Sequence, residues 1–195
     1  MPLTSAFRRR IAEFRQEGLA AFLADERGAT VVELAILAVP FFAIMGAILE
    51  TAVVFLASQF LDSAVQDASR LILTGQAQAT AGFDIDSFRG AVCDGLYGMF
   101  DCSKLEIRVS TVDNFASAQI APPLDPTDPT KWKLEQAFVP GGGLQVVMVQ
   151  VYYKWPVILN FGGFSLATSS DGTRLLGAVR VFANEPFSSG AAVSG

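Results

Sequence analysis

The stretch 28–61 reads GATVVELAILAVPFFAIMGAILETAVVFLASQFL, and Glu33 and Glu50 are its only charged residues. A helix needs roughly 20 apolar residues to cross a hydrocarbon core of about 30 Å. Leu34 to Leu49 is free of charge, and the apolar character continues on both sides. At about 1.5 Å per residue the two glutamates stand about 25 Å apart along a helix axis, so each falls near one boundary of a bilayer. The pattern predicts a membrane-spanning helix over about 31–56. Pro40, in its middle, is tolerated in membrane helices and predicts a mild kink. Ala43, Gly46 and Ala47 are small enough to let another helix approach closely.

The sequence before this stretch, TSAFRRRIAEFRQEGLAAFLADER, places Phe7, Ile11 and Phe14 at helical spacing with arginines between them. It reads as a basic amphipathic leader. Arg8, Arg9, Arg10, Arg15 and Arg27 precede the apolar run, whereas Arg70 is the only basic residue between Asp62 and Ala81. The excess of positive charge on the cytoplasmic side of membrane helices then puts the N-terminus in the cytoplasm and the residues after Leu61 outside. An ordinary secretory signal peptide has a shorter apolar stretch, with its small-residue cleavage site after it. Here Gly28 comes before the apolar run.

Beyond Leu61 the helical period persists. Leu61, Ala64, Val65, Ala68, Leu71 and Ile72 form an apolar face, while Asp62, Ser63, Gln66, Asp67, Ser69 and Arg70 form a polar one. Gln66 and Asp67 are spaced to meet Arg70. The helix is expected to run from about Ala29 to Thr74 and to stop at Gly75.

The remainder, 76–195, is long enough for its own core. A short helix is expected around Ile85–Leu96. Alternation predicts strands at Lys104–Val112, Leu144–Tyr153 and Leu175–Phe182. The proline-rich 121–130 segment and the Gly/Ser-rich 161–173 segment read as loops. The expected fold is α+β: a long N-terminal helix followed by a small antiparallel β-sheet packed on its C-terminal half. The expected organisation is a leader over 1–28, a helix over 29–75 and an outer domain over 76–195.

Composition narrows the chemistry. Of 195 residues, 51% are hydrophobic and 17% charged, and histidine is absent. Without histidine there is no Ser–His or Cys–His nucleophile pair and no H-E-x-x-H zinc motif. Ser165 in GFSLA therefore reads as a loop residue, although it resembles a nucleophile elbow. Two cysteines cannot build a Cys-rich metal site, and Asp84, Asp86, Asp125 and Asp128 lack the EF-hand spacing. The net charge of −5 offers no basic face for nucleic acid. No cofactor, metal, small-molecule substrate or catalytic activity is expected. Cys93 and Cys102, outside the cytoplasm and separated by a short glycine-containing loop, are expected to form a disulfide.

The junction Arg27-Gly28-Ala29-Thr30-Val31-Val32-Glu33 supports two readings. A carboxylate at the edge of a membrane helix is costly without a partner. A free amino group, created by cleavage between Gly28 and Ala29, would supply one when neighbouring helices pack side by side. Alternatively, Glu33 simply marks the start of the membrane helix.

As a set, Arg27-Gly28, Glu33, Pro40 in the middle of the apolar run, Glu50 at its end and Arg70 in an alanine-containing helix resemble the opening of the TadE/TadG-like pseudopilins of tight-adherence (Tad, Flp-type) pili. Asn184-Glu185-Pro186-Phe187 resembles the family's C-terminus. Leu34 departs from the aromatic residue common after the glutamate. The resemblance implies a minor pilin or pseudopilin cut after Gly28 by a prepilin peptidase. Its helix would sit in the inner membrane among other pilin subunits, with Glu33, Pro40, Glu50 and Arg70 serving packing and assembly. Its outer domain would be periplasmic, and the subunit would enter a pilus or the complex that initiates one. An uncleaved, membrane-anchored binding, sensing or scaffold protein has the same topology.

Overall fold

The computed structural model of the chain describes residues 29–161 and 164–187. Helix α1 spans Ala29–Leu73 and continues through Pro40. The chain divides into two units between Ala47 and Ile48, within this helix.

In the first unit, the described part of α1 carries Val31, Val32, Leu34, Ile36, Leu37, Val39, Phe41, Phe42 and Ile44, all exposed. Such an all-round apolar surface is incompatible with water and suited to lipid or to other helices. By length and composition, α1 is able to cross a membrane.

The second unit holds the rest of α1, two shorter helices, α2 (Gln76–Ala79) and α3 (Ile85–Asp94), and the strands. Strands β1 (Glu106–Val112), β2 (Ala137–Phe138), β3 (Val146–Pro156) and β6 (Thr173–Ala183) form one sheet in the order β2-β1-β3-β6. Strands β4 (Asn160–Phe161) and β5 (Phe164–Ser165) form a separate hairpin. The three strands anticipated from alternation pair antiparallel, with Val109 opposite Val149 and Val149 opposite Arg180. The sheet as a whole is mixed, because β2 pairs parallel to β1 through Arg108–Ala137 and Val109–Phe138. A two-residue edge strand has no period to read, which is why alternation misses it.

One stripe of α1 joins the core: Val54, Ala57, Leu61, Ala64, Val65, Ala68 and Ile72 are buried. Against it lie Ile107 and Val109 of β1, Val147, Val149 and Val151 of β3, and Leu176 and Ala178 of β6. Burying the Val, Leu and Ile side chains among these contributes roughly 1.5–3 kcal/mol each. The other face of the central strand is also covered, since Met148, Gln150 and Tyr152 are buried.

Two details of the amphipathic reading change. Ser69 is buried, not on the polar face, and donates its hydroxyl to the Val65 carbonyl at 2.6 Å. This i−4 bond satisfies the hydroxyl locally, so a serine can occupy the core stripe. Arg70 is exposed and has no ion pair among the described residues. Holding two long solvated side chains together gains too little to enforce the expected contact with Gln66 or Asp67.

Candidate assembly helix and its clasps

Helix α1 ends where the glycine predicts. Gly75 adopts φ +80°, a left-handed conformation that stops a helix. The closing partner comes from the far end of the second unit. The Glu185 N–H donates to the Leu73 carbonyl at 2.9 Å. Asn184, 2% exposed, donates its amide to the Pro140 and Gly142 carbonyls at 2.9 Å each. Its backbone also pairs with Gln145 and Leu144. The Asn184-Glu185-Pro186-Phe187 segment thus clasps the end of α1 to the turn before β3. Gln78 adds to this junction by donating to Pro140 and Gly141 at 3.0 and 3.1 Å.

A second clasp sits nearer the apolar run. The Glu50 carboxylate accepts the Ile158 N–H at 2.6 Å and the Leu159 N–H at 3.1 Å, both from the turn after β3. Further along α1, Asp62 pairs with Arg180 of β6 at 2.6 Å. Beside this stretch an open cleft of about 390 Å3 is lined by Thr51, Val54, Phe55, Leu166 and Arg174 among others. The Arg174 guanidinium donates to the Leu166 carbonyl at 3.3 Å.

The other sequence-predicted residues are dispersed. Glu33 is exposed among apolar neighbours and makes no ion pair among the described residues, while Pro40 lies exposed in the same unit. Gly28 and the 1–28 leader lie outside the described residues, so the cleavage junction shows Ala29 alone. Cys93, at the end of α3, is disulfide-bonded to Cys102 with a Cα–Cα separation of 6.0 Å. The bond anchors α3 to the turn that leads into β1.

The loop aspartates considered as metal ligands serve local turns. Asp125 accepts from the Thr127 N–H and hydroxyl, and Asp128 from those of Thr130. Asp171 does the same with Thr173. The hydrogen bonds from Thr127, Thr130 and Thr173 hold the respective carboxyls below the ordinary aspartate value. Ser87 and Ser103 do so for Asp84 and Asp101.

Sequence reasoning flagged Glu50 as a boundary residue but missed its partners. The contact joins residues remote in sequence, and Ile158 and Leu159 contribute only backbone. The tail motif was visible as a resemblance, but its role as a helix clasp was not.

Residues 28–70 match the model of a family described as TadE-like protein. The resemblance read from Gly28, Glu33, Pro40, Glu50 and Arg70 therefore holds over that stretch. No curated protein matches the chain, and no solved structure does.

Proposed function

We propose, from the TadE-like signature of residues 28–70, that this protein is a minor pilin or pseudopilin-like component of tight-adherence pilus assembly. The observation that carries the reading is where the signature falls. It covers the exposed apolar length of α1 together with the part of the helix on which the sheet is built. In this reading the apolar length resides in the inner membrane and packs against other pilin helices. Pro40 is accommodated there, and Glu33 fixes the register by pairing with the amino terminus of a neighbour. The outer unit lies in the periplasm, where the Cys93–Cys102 bond is stable. The work is packing, with no catalytic step.

Processing is assigned to a prepilin peptidase acting between Gly28 and Ala29. The test is the N-terminal sequence and intact mass of the native protein from cells with and without that peptidase. The expected result is a start at Ala29 only when the peptidase is active. A start at Met1 in both would remove the cleaved-pilin reading and leave an uncleaved anchor. For Glu33→Ala, processing is expected to persist while incorporation into pili falls. Normal incorporation would remove the role given to the carboxylate.

A further inference from the structure

The Glu50 clasp has a specific depth. Past Glu50, α1 still exposes Val53, Phe55 and Leu56, with Phe55 66% exposed. Apart from Thr51, the exposed side carries no polar residue before Ser58 and Gln59. Leu56 lies about 9 Å further along the axis than Glu50, so the carboxylate sits below the end of the lipid-compatible surface. The turn bonded to Glu50 is therefore held at the same level. That turn is apolar: Val157, Ile158 and Leu159 lead into a hairpin segment, residues 157–166 (VILNFGGFSL), that contains no charged residue. The Ile158 side chain is 84% exposed.

We propose that the Val157–Leu159 turn is a second membrane contact, inserting Ile158 into the outer-facing leaflet beside α1. The proposal rests on α1 spanning a bilayer. Two costs cancel at this point. A carboxylate within reach of hydrocarbon needs donors, and non-helical backbone at that depth needs its N–H groups satisfied. Glu50 and the amides of Ile158 and Leu159 supply both. The outer unit is then held against the bilayer at two points, the helix and the turn.

The test uses the full chain in phosphatidylcholine–phosphatidylglycerol vesicles. Its two cysteines are bonded to each other, so Ile158→Cys, Ile44→Cys and Ile120→Cys each introduce a single free thiol for a nitroxide label. Collision rates with oxygen, which concentrates in lipid, and with a water-soluble nickel chelate are compared by electron paramagnetic resonance. The expected oxygen-to-nickel ratio at Ile158 lies nearer the Ile44 value than the Ile120 value. A ratio at Ile158 equal to that at Ile120, with Ile44 still reading lipid, would overturn the insertion while leaving the spanning helix intact. A water-like Ile44 would overturn the spanning reading and the proposal with it. Protection of Ile158 from both reagents would overturn insertion in favour of a protein contact. Adding Glu50→Ala is expected to shift the Ile158 ratio toward the Ile120 value, and an unchanged ratio would overturn the tether.

Discussion

The ring of Phe187 lies so close to Gly75 that a Cβ at position 75 would come within 2.7 Å of it. The same glycine holds φ +80° at the end of α1. One residue thus stops the helix and seats the tail that clasps it.

Replacing Gly75 with alanine combines a disfavoured dihedral with a steric conflict. The expected loss is roughly 2–4 kcal/mol of unfolding free energy, measured by denaturant titration of the full chain in detergent. Gly82 offers the control, because it shares a positive φ but a Cβ there meets nothing within 4 Å. Gly82→Ala should cost only the dihedral part, about 1–2 kcal/mol. Equal losses at the two sites would argue against the Phe187 contact as the source.

Asn184→Ala removes the amide that serves the Pro140 and Gly142 carbonyls. Pro140 keeps the Gln78 amide and Gly142 the Gln145 N–H as donors, so the expected loss is that of the two hydrogen bonds themselves, about 0.5–1.5 kcal/mol each. Native-state hydrogen exchange should also rise at the Glu185 amide, which bonds to Leu73. Unchanged exchange at Glu185 would show that the clasp does not depend on the asparagine.

Loss of the Cys93–Cys102 bond by double serine substitution should lower stability by about 2–3 kcal/mol, the cost expected for a short closed loop. The sheet register should survive, since the bridge ties α3 to the turn before β1 rather than strand to strand. Retained stability in the double variant would show that packing of Phe88, Val92 and Leu96 holds this corner alone.

The pH profile should be flat through neutrality, because the chain has no histidine. Asp84, Asp101, Asp125, Asp128 and Asp171 are held below their ordinary value of 3.8. A depressed carboxyl contributes stability that is present above its unfolded value and lost as pH falls through its folded one. The acid edge should therefore begin just below 3.8. At the other end, hydrogen bonding to Asp101 raises Lys104 above 10.5, and burial raises Tyr152 above 10.0. Both contributions are lost as pH rises through the raised values, so the alkaline edge should begin near 10. A stability step between about pH 5 and 8 would contradict this account.

Much of this architecture was legible because it is periodic. The stripe from Leu61 to Ile72 repeats at helical spacing, and alternation at Ile107 and Val109 and at Val147, Val149 and Val151 marks the strands. Features that escaped depend on backbone partners or on distant chain segments. Ala137 and Phe138 join the sheet because β1 has a free edge, not because of a pattern of their own. Ile158 and Leu159 meet Glu50 through amides that every residue except proline carries. Ser69 enters the core through a hydrogen bond to its own helix, which a polarity scale counts against burial.

The Glu185–Leu73 hydrogen bond also sets an order of events. During synthesis Leu73 emerges well before β1, β3 and β6, and Glu185 follows the last of them. The end of α1 consequently stays open while every strand of the second unit is being delivered. A product truncated before Asn184 retains the apolar anchor but lacks the tail that closes the helix. Closure of the helix end thus waits on Glu185, which follows the last strand, so the two ends of the second unit are joined only after its whole sheet has been made.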